Sequence, residues 1–178
     1  MDQPRKQVTL AELLITVAVI VLLAAIVLPN VMRSQISANE ASAVASIASI
    51  NRAEVSYQTA NPGIGFASSL DSLGPNGPGD NCQKPTASHA CLIEEGLARA
   101  GSAGQARNGY RFRVSPAARD QHGAVSAYVA GAAAAIYKKT GLRDFCSQED
   151  GVVRYRDPGG NSAPAETAGQ CAAMPVLQ

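Results

Sequence analysis

The sequence predicts an α+β protein: one long N-terminal α-helix packed against a small antiparallel β-sheet. Three observations carry that expectation. The stretch Leu13 to Leu28 is an apolar run. Asn30 to Thr59 holds neither Gly nor Pro, and Val44, Ile47, Ala48, Ile50, Val55 and Tyr57 recur at helical spacing. Beyond Asn61-Pro62-Gly63, which ends the helix, short segments with strand-like alternation lie between turn residues. With 178 residues there is room for one domain besides the helix, and the net charge of +1 implies no large basic surface for nucleic acid.

Residues 1–7 form a short basic leader containing Arg5 and Lys6. From 8 to 60 the pattern predicts one helix, about 80 Å long at 1.5 Å per residue. Its first part, about 9–31, has the apolar length of a transmembrane segment, which takes about 20 residues. The basic residues ahead of the run keep the leader inside and send residues 61–178 outward. Pro29 removes one backbone hydrogen bond and predicts a kink. Glu12 stands at the leading edge of the run, where a charge is costly. With no basic residue between it and Arg33, it calls for a counter-charge on another molecule. A secretory signal fits poorly, because its apolar core is shorter, about 7–15 residues, and carries no acid.

Residues 61–178 read as an outward globular domain. Asn61 to Asp80 is a loop rich in Gly, Pro, Asn and Ser, with Phe66, Leu70 and Leu73 tucked under the helix end. Leu92 to Ala100 reads as a short helix with Glu94 and Glu95 in its first turn and a Glu95–Arg99 pair. Tyr110, Phe112 and Val114 alternate with Arg111 and Arg113 as in a half-buried strand. Ala124 to Ala135 is a second strand whose alanine-rich end also suits a helix. Asp144–Ser147 and Gly151–Tyr155 flank an Asp-Gly turn and read as a hairpin. The tail from Asp157 is loop-like. Cys82, Cys91, Cys146 and Cys171 are an even set, which favours disulfides in an oxidising compartment. Four cysteines allow three pairings. The expected ones are Cys82 with Cys91, closing a short polar loop, and Cys146 with Cys171, stapling the tail and contributing about 3–4 kcal/mol.

Nothing in the sequence supports catalysis. The two histidines, His89 and His122, lie in polar loops, and no metallopeptidase, phosphate-loop or nucleophile-elbow pattern occurs. No enzyme, cofactor or metal is expected. Cys82, His89 and Cys91 match no usual zinc spacing. Asp144, Glu149, Asp150 and Asp157 read as solvated turn acids rather than calcium ligands. Arg107, Arg111 and Arg113 read as the wet side of a strand rather than a nucleic-acid surface, which would also want aromatics.

The segment Lys6-Gln7-Val8-Thr9-Leu10-Ala11-Glu12-Leu13-Leu14-Ile15 resembles the N-terminal signature of type IV pilins and type II secretion pseudopilins. That family has glycine where this chain has Gln7 and phenylalanine where it has Val8. The resemblance implies processing between Gln7 and Val8 by a prepilin peptidase, then N-methylation of Val8. It implies that Glu12 pairs with the amine of Val8 on a neighbouring copy, and that Pro29 kinks the helix within the assembly. The expected partners are further copies in a helical filament, the inner membrane and the pilus assembly machinery. The expected placement is single-pass in the inner membrane with the C-terminal domain in the periplasm, then an extracellular filament. The resemblance also implies an antiparallel sheet on the outer half of the helix and a cysteine-closed C-terminal region. A pilin is the first reading and a pseudopilin the second. The rival from another class is a monomeric, membrane-anchored periplasmic binding protein whose helix is only a tether.

Overall fold

The computed structural model describes residues 9–101 and 105–177, the side chains of 24–29 aside. Helix α1 runs Leu10–Ala60 and continues through Pro29. Two compact units divide within it, one ending at Gln35 and one running Ile36–Gln178. In the first unit the large apolar side chains from Leu10 to Leu23 are 49–75% exposed.

The expected membrane span at about 9–31, and with it the single-pass inner-membrane placement, is corrected here. Among the described residues no helix is long and apolar enough to cross a membrane. The leader 1–7 and the Gln7–Val8 junction lie outside the described residues, as does the side chain of Pro29.

The second unit is built on a four-stranded antiparallel meander in the order β1 (Tyr110–Arg119), β2 (Val125–Ala134), β3 (Asp144–Gln148), β4 (Arg154–Arg156). Tyr110 pairs with Ala134, Ala132 with Phe145, and Phe145 with Tyr155. The sheet is covered on both faces. Val125, Tyr128, Ala130, Ala132, Ala134 and Phe145 join the core made by Ala43, Ile47, Ile50, Ala53 and Tyr57 of α1. Val129 and Cys146 join Ala165, Cys171 and Met174 on the other face. That double burial settles the alanine-rich end of β2 as strand. A strand buried on both sides carries no polar alternation, and small side chains let the flanking layers approach.

The stripe that α1 turns to the sheet is Glu40, Ala43, Ile47, Ile50, Glu54 and Tyr57, spaced three and four residues apart. Val55, expected on it, is 58% exposed. Phe66, Leu70 and Leu73 are buried as expected. They sit in a segment expected as loop, which forms helix α2 (Leu70–Leu73) with Ser69 as its N-cap. The expected Leu92–Ala100 helix is shorter: α3 (Glu95–Ala98) followed by a 3₁₀ turn, Arg99–Gly101. At the hairpin, the Gly151 amide donates to Gln148 O at 2.9 Å with Gly151 at φ +69°. Glu149 and Asp150 are therefore the central turn residues, and β4 begins later than expected. The tail is more ordered than its composition suggests. It forms helix α4 (Ala168–Ala172), and its end pairs along β4 through Tyr155 N to Pro175 O and Leu177 N to Val153 O, both 2.9 Å. That covers a sheet edge that would otherwise be open.

Candidate functional site

The start of α1 holds Glu12. Thr9 and Glu12 form a reciprocal cap. The Thr9 amide and Oγ1 donate to Glu12 Oε2 at 2.9 and 3.0 Å, and the Glu12 amide donates to Thr9 Oγ1 at 3.3 Å. This is the pairing a Thr-x-x-Glu sequence makes at a helix start, satisfying orphan amides. Glu12 thus has a partner in its own chain, which the sequence reading, looking only for a basic residue, missed. The cap leaves Glu12 on the surface of the helix. Around it the exposed apolar residues do not form one stripe. Leu13, Leu14, Ile15, Val17, Val19 and Ile20 at 100° intervals point all round the axis. A helix apolar on every side is normally buried, and a patch of this size on an isolated chain marks a surface that another body covers.

In the second unit α1 carries two carboxyl groups on its buried stripe, neither anticipated from sequence. Glu40 accepts from the amides of Leu142 and Arg143 at 2.9 and 3.1 Å through Oε1. Its Oε2 accepts from Arg143 Nε and Nη2 at 2.8 and 2.6 Å. Asn39 adds a bond to Thr140 O at 3.0 Å. These bonds clamp the β2–β3 connection onto the helix. Both arginine donors share Oε2, and as charge-assisted bonds they are stronger than neutral ones. Glu54 is fully buried. Its Oε2 accepts the Ala67 amide at 2.8 Å, while Oε1 has no hydrogen-bond partner. Burial, only partly offset by that amide, pushes its carboxyl up to about 8. Glu54 is therefore a neutral acid near pH 7. The signal available in sequence was spacing: positions 40, 43, 47, 50, 54 and 57 form one face, and an acid on such a face requires a donor.

Both expected disulfides are present. Cys82–Cys91 and Cys146–Cys171 each have a Cα separation of 5.8 Å. The first closes a surface loop and the second lies in the buried cluster between β3 and α4. Asp80 offers an oxygen within 4.8 Å of both Cys82 and Cys91 sulfurs, but those sulfurs are bonded to each other. Apart from Glu149, which has no ion pair among the described residues, the acids and arginines weighed for other chemistry are engaged within the chain. Arg107 pairs with Glu94, Arg113 lies 3.2 Å from Glu166, and Arg111 donates to Ser162 O at 2.7 Å. Asp144 accepts from Ser162 and Arg156, and burial still holds its carboxyl above the ordinary range. Asp150 pairs with Arg154 at 2.6 Å, and Asp157 accepts the Tyr137 hydroxyl at 2.8 Å. The structure places Asp80, Thr86 and His89 in the wall of one polar surface hollow beside the Cys82–Cys91 bridge. What it presents is a capped apolar helix and a disulfide-stapled domain.

Comparison with family models, with curated proteins and with solved structures finds no match for this chain.

Proposed function

We propose that this chain is a structural subunit that polymerises through the first part of α1 into a type IV pilus or pilus-like filament. One observation carries the reading: the apolar side chains from Leu10 to Leu23 are exposed around the whole helix. Identical helices laid side by side cover such a surface with their own side chains. The N-terminal signature from Lys6 to Ile15 supports the same reading, as does the plan of a long helix followed by an antiparallel meander and a cysteine-closed tail. A pseudopilin of a secretion system would assemble by the same contacts.

In this proposal a prepilin peptidase frees the amine of Val8, and the pilus assembly machinery delivers the subunit. Glu12 of one copy then pairs with that amine on its neighbour. Removing water from the bundle strengthens the attraction and fixes the lengthwise stagger. The Thr9 cap orients the carboxylate before assembly. Glu12→Ala removes both the charge and the cap, whereas Thr9→Ala removes the cap alone. Electron microscopy of fibres from the full chain should show them abolished by Glu12→Ala and retained, at reduced yield, by Thr9→Ala. Normal fibres from Glu12→Ala would overturn the pairing.

A further inference from the structure

Resting on the filament reading above, we propose that a second copy of this chain docks end to end on the sheet of the first, joining the β2–β3 connection of one to the β3–β4 end of the next. The meander puts these two connections at opposite ends of the sheet. The two ends differ in charge and share exposed apolar side chains.

At the first end, the connection 135–143 is held rigidly. Glu40 and Asn39 clamp it to α1, and Thr140 Oγ1 accepts the Ile136 amide at 3.0 Å. It presents Lys138, Lys139, Ile136 and Leu142, the last two 47% and 39% exposed. The other charges here are neutralised within the chain, Arg143 by Glu40 and Arg156 by Asp144. Asp157 accepts the Tyr137 hydroxyl and keeps its charge, which faces Lys138. Lys138 lies over the Tyr137 ring at 5.5 Å, and among the described residues neither lysine has an ion pair; two lysines set against Asp157 leave one positive charge over. The surplus at this end is positive.

At the opposite end, Arg154 neutralises Asp150. Glu149 has no ion pair, and Asp120 accepts only the backbone amides of His122 and Ala124. Arg119 donates to Gly123 O, and Arg154, paired with Asp150, also feels the charge of Glu149, so two cations here face three acids. Ile64, bonded through its carbonyl to Val125, and Val152 are exposed there. This surplus is negative, so one end complements the other. A contact between unlike ends is head-to-tail, the kind that repeats into an open filament when its rotation does not close a ring. Exposed ion pairs each contribute little. The ends therefore set orientation and register, while the apolar helix supplies the affinity.

A zero-length carbodiimide, which condenses a lysine amine with a carboxylate and expels water, tests this directly. Fibres are grown from an equal mixture of ordinary and ¹⁵N-labelled full chain, treated, digested and read by mass spectrometry. A bond from Lys138 or Lys139 to Asp120 or Glu149 does not form within one copy, because β2 puts about 30 Å between the lysine end and Asp120 and β3 about 17 Å between that end and Glu149, both beyond a zero-length link. We expect such bonds, with about half of them joining a labelled to an unlabelled peptide. They should vanish in Lys138→Glu/Lys139→Glu fibres. Fibres that form but lack these bonds overturn the end-to-end contact and leave the filament reading intact. Failure of the unmodified chain to form fibres under any condition overturns both.

Discussion

Glu54 shows how one residue sets a property of the whole second unit. Its carboxyl is enclosed with a single backbone donor, Ala67, and burial raises it to about 8. In the unfolded chain the same group returns to its ordinary value, near 4.3. Below that value both states are protonated and Glu54 adds no pH dependence. Between about pH 4.5 and 8 the unfolded chain has lost the proton that the folded chain keeps. The folded state therefore binds more protons, and stability falls as pH rises, by up to about 1.4 kcal/mol per pH unit. Above 8 the folded group ionises too and the slope from this residue ends. Tyr57 and Tyr128 lie close enough for the Glu54 charge to raise their hydroxyls, so they offer it no positive compensation. Glu54→Gln keeps an oxygen for the Ala67 amide and cannot ionise. Urea unfolding of the two proteins should give similar stability at pH 5. At pH 7 the variant should be ahead by about 2–3 kcal/mol, allowing for one amide hydrogen left without a partner. Parallel profiles would mean that the carboxyl is already ionised in the fold.

At the scale of elements, what the sequence disclosed followed its strongest periodicities. The long helix, the strands at Tyr110 and Val125, and the hairpin, its turn centred on Glu149-Asp150 and not on the expected Asp150-Gly151, all appear, because alternation, spacing and turn chemistry each leave a local mark. The misses have physical causes. Helix α4 is too short for any period to show. Its start is nevertheless written in Thr167 and Gln170, whose side chains cap each other's amides. The same Thr-x-x-Glu grammar stands at Thr9, where the charge of Glu12 hides its capping role. Glu40 and Glu54 do not stand out in the sequence, because an acid at helical spacing looks solvated until the sheet that covers it is known. The two disulfides were legible as cysteines in an even set, but their difference in burial was not. Cys82–Cys91 sits on an exposed loop, whereas both sulfurs of Cys146–Cys171 belong to a closed cluster with Met174. Thiolate attack requires access to a sulfur. Under native conditions a dithiol should open Cys82–Cys91 at least tenfold faster, as read by alkylation and mass mapping. Loss of the second bridge should cost about 3–4 kcal/mol, since it closes a longer loop. Equal rates would show that the C-terminal segment opens freely from the sheet.

The whole molecule divides its work between two units, and that division can be tested with a cut. The clamp of Glu40 on Arg143, the acid Glu54, both sheet faces and all four cysteines lie between Ile36 and Gln178. A fragment beginning at Ile36 keeps every one of these contacts and loses only the apolar segment with its Thr9–Glu12 cap. Its new first turn, residues 36–39, frays, whereas Glu40 one turn further in stays held by the Leu142 and Arg143 bonds. The fragment should therefore unfold cooperatively, with a native circular-dichroism spectrum. By sedimentation velocity it should stay monomeric at concentrations where, on the proposed function, the full chain assembles into fibres. The end charges alone are too weak to hold copies together, since exposed pairs contribute about 1 kcal/mol or less each. Should the fragment polymerise as readily as the full chain, the adhesive surface would lie in the disulfide-stapled domain. The exposed apolar helix would then need a different occupant.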